Sequence, residues 1–187
     1  MTNSSNKTHG TTYYRDASRS SVDRALSEGH RIGIAPGGIS EMFEGYPKPG
    51  TLPNEEYAIA RHKGFLKLAM KHGTPVIPVY CFGASKMMRR LQLPDFFEKL
   101  SKILKISVVV LFGKWGLPIP FRNRLLYTVG EPIYPRYVNE GTPLPTEALE
   151  YQHQVDEMHS KFCDSLTNLF EHHKESYGWG NKILKLV

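Results

Sequence analysis

An α/β fold is predicted for this chain: a mainly parallel sheet flanked by helices, with a long helix at the C-terminal end. Three observations predict it. Short apolar runs, Pro75 to Phe82, Ile106 to Phe112 and Leu125 to Gly130, alternate with stretches whose apolar residues recur at helical spacing. Strands separated by helical crossovers pair in parallel. After Pro143 and Pro145, Thr146 is placed to cap a final helix with Glu147 and Glu150 in its first turn and an apolar stripe of Tyr151, Val155, Met158, Phe162, Leu166 and Leu169.

The remaining elements follow in order. Residues 1–14, rich in Ser, Thr and Asn, read as a disordered tail, and residues 15–187 as one domain or a large part of one, since 187 residues at 40% hydrophobic suffice for a single core. Ser18 to Glu28 reads as a helix ended by Gly29, and Ile32, Ile34 and Ala35 as a short buried strand running into Pro36-Gly37-Gly38. Gly45 to Pro53 is a loop. His62 to His72 is a largely buried helix stopped by Gly73, and Leu91 to Lys105 is another. In that second helix Phe96, Phe97, Leu100, Ile103 and Leu104 oppose Lys99, Lys102 and Lys105, a pattern that suits packing on a sheet or lying in a membrane interface. Gly113 to Arg122 is a Gly- and Pro-rich loop.

Charge narrows the partners. From Tyr57 to Gly130 thirteen lysines and arginines face only Asp95 and Glu98, so the centre of the chain suits a phosphate-bearing ligand. Coenzyme A, anionic lipid head groups and nucleic acid all qualify on charge. Nucleic acid falls behind, because aromatics do not interleave with the basic residues and no nucleic-acid motif occurs. No apolar run approaches the roughly 20 residues of a membrane-spanning helix, and the start has no signal-peptide core. Cys81 and Cys163 fit no metal or redox spacing and read as free thiols, with no metal site expected.

The chemistry-bearing blocks are Gly37-Gly38-Ile39-Ser40-Glu41, then Arg61-His62-Lys63-Gly64-Phe65, then Val76 to Gly83, then Gly130-Glu131-Pro132-Ile133. Beyond a strand end, Gly37 and Gly38 permit a tight turn and close backbone approach to a ligand, with Glu41 near the same crevice. Alone, so short a motif is more often a sharp turn beside a surface acid. Arg61, Lys63 and Lys67 gather at a helix start, where free N–H groups and the helix dipole favour an anion; an ordinary basic helix face is the competing reading.

Taken together, and in this order, the blocks resemble the type 2 diacylglycerol acyltransferase family, which includes monoacylglycerol and wax-ester acyltransferases, from about Ala17 to Gly178. The resemblance implies a glycerolipid-acyltransferase-like fold and transfer of a fatty acyl group from acyl-CoA to an acylglycerol or fatty alcohol, with no cofactor beyond acyl-CoA as substrate. It implies action at the cytosolic face of the endoplasmic reticulum membrane or on a lipid droplet. It assigns Glu41 as the catalytic candidate and Gly37, Gly38, Arg61, His62, Lys63, Gly64 and, more weakly, Glu131 to substrate binding. Pro78, Phe82 and Gly83 shape the strand end.

The family's base is a histidine of an upstream His-Pro-His-Gly block, which does not occur in these 187 residues. His9-Gly10 is preceded by Thr8, lacks the proline and falls too close to Ala17, so His9 is not assigned the role. His153, His159, His172 and His173 fall on the final helix and read as solvated or locally bonded. The chain is therefore read as a fragment or short form of such an enzyme, inactive alone. The alternative is a catalytically inactive lipid- or CoA-binding paralogue or regulatory fragment.

Overall fold

A computed structural model describes residues 18–36, 51–90, 111–136 and 148–187. The chain divides into two compact units, Met1–Gly33 and Ile34–Val187. The first holds helix α1, Arg19–Ser27, opened by the Ser18 hydroxyl, which accepts the Ser21 N–H at 3.4 Å. Gly29 and His30 close it by donating to Leu26 O and Ala25 O. The strand expected at Ile32 to Ala35 is not formed. Ile34 is 46% exposed, and residues 30–36 have no strand partner among the described residues, so the apolar alternation has no sheet to enter.

The second unit runs β1 (Glu55–Ala58), α2 (Gly64–Lys71), β2 (Val79–Phe82), β3 (Arg89–Arg90), β4 (Leu111–Phe112), β5 (Leu126–Val129), α3 (Ala148–Tyr177) and β6 (Ile183–Leu186). Among the described residues it is mixed α/β with three two-stranded sheets, where a mainly parallel sheet was expected; helix Leu91 to Lys105 and most of the strand expected at Ile106 to Phe112 lie outside the described residues. Among the described residues only β1 and β6 pair in parallel; β2 with β5 and β3 with β4 are antiparallel. The reason is connectivity. Helix α2 lies between β1 and β2 in sequence, but those strands sit in different sheets, so it is not a crossover between neighbours. The strand expected from Pro75 begins at Val79, because Pro78 has no N–H to give a ladder; Val76 makes an isolated bridge to Ile133 instead.

Helix α3 organises the core, and its predicted stripe is the buried one. Val155, Met158, Phe162, Leu166 and Leu169 are all buried, joined by Phe170. Its first half packs with Leu66, Ala69 and Met70 of α2, to which Phe65, Val76, Ile133 and Tyr151 add partly buried surface. Its second half meets an aromatic cluster. Phe82 stacks on Phe170 with ring centroids 5.5 Å apart, and Tyr80, Tyr177 and Trp179 close around the pair. Burial raises the Tyr80 phenol above its ordinary range, with the Glu56 carboxylate adding to the effect. Gly83, at φ +85°, ends β2 where any Cβ would stand 2.2 Å from the Tyr177 hydroxyl. The predicted role of Phe82-Gly83 as a strand stop is what the structure shows.

Strands β1 and β6 were not expected. They are held side by side in register from Glu55 opposite Ile183 to Ala58 opposite Leu186. Buried Glu56 accepts from Ser85 Oγ at 2.7 Å and pairs with Lys182 Nζ at 3.0 Å and Lys86 Nζ at 3.3 Å. Lys185 pairs with Glu55, which holds that carboxyl below its usual range.

Candidate functional site

The Arg61-to-Gly64 block leaves β1 and enters α2, and three partners fix its course. Val187 O accepts the N–H groups of Ala60 at 3.0 Å and Arg61 at 3.3 Å, while Val187 N donates to Ala58 O. From α3, His159 Nε2 lies 2.6 Å from Ala60 O. A carbonyl only accepts, so Nε2 carries the proton. One turn away, Asp156 Oδ1 accepts from Lys63 Nζ at 2.7 Å, and three residues beyond His159 the Phe162 ring meets Phe65 edge-on at 5.1 Å. Asp156, His159 and Phe162 recur every three residues on one face of α3, so a single helical stripe grips residues 60–65.

The block thus has a buried side and an open side. Ile59 and Ala60 are buried, whereas Arg61, His62 and Gly64 are exposed. Among the described residues no side chain caps α2 at Lys63, and its first helical bond runs from Lys67 N to Lys63 O. An exposed, uncapped helix start flanked by Arg61, His62 and Lys63 can accept an anion through N–H groups and cations together. Lys63 is already engaged by Asp156, whose carboxyl its ammonium holds below the usual range, so an incoming phosphate competes for that lysine.

Glu131 is exposed on the stretch between β5 and the Val76–Ile133 bridge, and no described contact joins it to the Arg61 block. Its neighbour Gly130 is structural. The Gly130 N–H donates to Pro78 O, and a Cβ there would meet Ser165 Oγ of α3 at 2.8 Å. Gly37, Gly38 and Glu41 lie outside the described residues, as do Phe96 and Phe97 of the amphipathic segment.

His172 and His173 bond locally, each ring Nδ1 lying 2.9 Å from the carbonyl four residues back. His159 is not local. Its partner lies 99 residues away, and with Asp156 it is the contribution to the site that the sequence reading passed over. The available signal was spacing alone: Asp156 and His159 stand three residues apart beside the apolar stripe, without indicating what that side faces. Cys163 Sγ approaches His159 Nε2 at 3.7 Å, and burial raises its thiol pKa; both cysteines are free.

A cleft lined by Met70, Ile133, Tyr134, Arg136, Gln154 and Glu157 encloses about 20 Å³, one water's worth and too little for an acyl chain. Among the described residues no helix is long and apolar enough to cross a membrane.

Comparison with known proteins gives these blocks a context. The diacylglycerol acyltransferase family profile matches residues 7–186. The chain is 31% identical over 176 residues to 2-acylglycerol O-acyltransferase 1 of Bos taurus, covering 86% of this chain and 48% of that protein. It is 28% identical over 178 residues to acyl-CoA wax alcohol acyltransferase 1 of Mus musculus, covering 88% and 50%. To diacylglycerol O-acyltransferase 2 of Homo sapiens it is 26% identical over 177 residues, covering 86% and 42%. The chain spans about half the length of the curated relatives it matches. No solved structure matches. With nearly its whole length inside the family profile, the chain belongs to the diacylglycerol acyltransferase family.

Proposed function

We propose that this chain supplies the acyl-CoA-facing part of an O-acyltransferase that moves a fatty acyl group from acyl-CoA to an acylglycerol or related alcohol, with no cofactor beyond the acyl-CoA substrate. The acceptor oxygen attacks the thioester carbonyl. A C–O bond forms, the C–S bond breaks, the hydroxyl proton passes to a base, and the departing thiolate is protonated to free CoA. Gly37 and Gly38 offer backbone N–H groups to the developing oxyanion, and Glu41 orients the acceptor hydroxyl or its base. Arg61 and Lys63, with His62 beside them at the open start of α2, hold the CoA phosphates, the phosphate displacing Asp156 from Lys63. Glu131 is assigned to substrate binding by the family block in which it stands. The reaction takes place at the cytosolic face of the endoplasmic reticulum membrane or on a lipid droplet.

The observation that carries this reading is the Arg61-to-Gly64 block, exposed on one side and pinned on the other by Val187, His159 and Asp156. Calorimetric titration of CoA tests it. Affinity is expected to weaken with salt and with Arg61→Ala plus Lys63→Ala, while pantetheine, which lacks the nucleotide, responds to neither. Unchanged CoA affinity and salt dependence in the double variant returns both residues to ordinary surface charge. Because no His-Pro-His-Gly block occurs in these 187 residues, a second reading is that this part of the chain binds CoA or lipid without transferring the acyl group. Intact CoA binding with no turnover, after an upstream segment carrying that block is supplied, favours it.

A further inference from the structure

The segment 113–122 has no place in the site just described, yet it exposes three large apolar side chains at one loop tip. Trp115 is 84% exposed, Leu117 51% and Ile119 40%. Such exposure of a Trp at a loop tip is costly in water unless something covers it.

The backbone beneath these side chains is closed on itself. Gly113 N–H donates to Leu117 O at 2.7 Å, Lys114 N–H to Ile119 O at 2.8 Å, and Leu117 N–H to Lys114 O at 3.1 Å. Pro118 and Pro120 bring no N–H at all. At the base, Phe121 N–H donates to Met87 O at 2.7 Å and the Arg89 guanidinium lies 5.4 Å from the Phe121 ring centre. Trp115 is held at φ +56°, a left-handed conformation that a bulky residue adopts only where its surroundings impose it. With the N–H groups of Gly113, Lys114, Gly116 and Leu117 bonded within the loop and two positions taken by proline, few peptide donors remain to lose hydration when the tip enters an apolar layer.

Charge identifies the phase. No acid occurs between Glu98 and Glu131, and Lys114 and Arg122 bracket the apolar tip with no carboxylate partner among the described residues. Trp concentrates at the boundary between lipid head groups and acyl chains, and nearby basic residues are drawn to anionic lipid. A tip of three side chains is also small beside the roughly 800 Å² that a protein partner covers. We propose that segment 113–122 is a preformed wedge that seats Trp115, Leu117 and Ile119 in the interfacial layer of an anionic phospholipid surface, with Lys114 and Arg122 on the head groups.

The test uses the 187-residue chain and vesicles of phosphatidylcholine with and without phosphatidylserine. Co-sedimentation with the anionic vesicles is expected, together with a blue shift of Trp emission and its quenching by brominated lipid. Trp115 and Trp179 are the only tryptophans, so loss of both optical signals in Trp115→Asn assigns them; Asn tolerates the left-handed backbone. Trp115→Asn plus Leu117→Ser should lower partitioning on the order of tenfold or more with an unchanged unfolding midpoint, since both side chains are exposed. Lys114→Gln and Arg122→Gln should each lower binding to the anionic vesicles roughly fivefold and leave neutral vesicles alone. The proposal is overturned by absence of vesicle binding, by binding indifferent to Trp115 and Leu117, or by self-association that the same two substitutions abolish, which would make a second copy the occupant. The outcome is separable from the CoA reading, because neither vesicle assay contains CoA and Arg61→Ala plus Lys63→Ala should leave the Trp115 signal in place.

Discussion

Replacing His159 by Phe deletes the N–H that meets the Ala60 carbonyl while keeping a ring of similar bulk against α2. Ala60 is 3% exposed, so its carbonyl has no ready access to water once the 2.6 Å contact is gone. A buried carbonyl stripped of its partner costs about 1–3 kcal/mol. For a chain of this size each kcal/mol moves the unfolding midpoint by about 2–4 °C, so a loss near 2 kcal/mol appears as about 4–8 °C. His159→Gln retains an amide N–H and should recover most of the loss. The functional half of the prediction is that CoA affinity falls further in His159→Phe than in a variant of equal instability elsewhere in the core, because Arg61 follows directly on the residue His159 holds. Thermal unfolding and CoA titration on the same samples decide it. A His159→Phe protein as stable as wild type, with the same CoA affinity, would refute the argument that this side chain positions the block.

Three further outcomes are expected. The chain alone should show little acyl-CoA-dependent esterification, since general-base catalysis is worth ~10²–10⁴-fold and its histidine block is missing; in a chain extended to include that block, Glu41→Gln should lower turnover per folded molecule, and equal turnover would return Glu41 to the surface. Asp156→Asn should raise CoA affinity at low salt by freeing Lys63; the pair depresses the Asp156 carboxyl, so its contribution to stability is present at neutral pH and lost as pH falls through that lowered value, and acid unfolding curves of wild type and Asp156→Asn should converge there. Glu56→Ala should destabilise by about 3–5 kcal/mol in urea titration, because it strands Lys182 at a nearly buried site, whereas Glu56→Leu with Lys182→Met should cost much less; equal losses would show that the pair contributes by charge and not by removal of one partner.

Much of the helical framework was legible in the sequence because its signals are local. Ser18 and Gly29 bracket α1, Gly73 closes α2, and the Val155-to-Leu169 stripe of α3 names the core by its period alone. Strand pairing was not legible, since it depends on which segments meet and not on what each prefers. Ile183-Leu-Lys-Leu186 alternates in the strand manner after a Gly-rich turn, but nothing near it in sequence indicates that its partner is Glu55–Ala58, 125 or more residues earlier. For the same reason the parallel expectation is met, among the described residues, by the β1–β6 pair alone. At the site, the cationic face of the Arg61 block was readable from residue types, whereas its buried anchoring was not: Asp156 and His159 look like the polar shoulder of an amphipathic helix until α2 is laid against them.

The three described blocks that carry the family's likeness, at Arg61, Val76 to Gly83 and Gly130, are scattered along the sequence but meet successive turns of one helix. Asp156, His159 and Phe162 hold residues 60–65; Ser165 and Leu169 lie so close to Gly130 that a Cβ there would stand 2.8 Å from Ser165 Oγ; Phe170 stacks on Phe82, and the Tyr177 hydroxyl donates to Arg124 O beside Gly83. At 1.5 Å per residue, positions 156 to 177 span about 32 Å, so α3 spaces these blocks along a rigid rod. Such an arrangement explains why residues of two quite different kinds recur in them. Gly83 and Gly130 stand where their blocks lie against α3, whereas Arg61, His62 and Gly64 turn away from it toward solvent. The course of the open side therefore depends on register at the closed side, and on the proposed reading α3 sets the geometry in which Arg61 and Lys63 would receive a ligand.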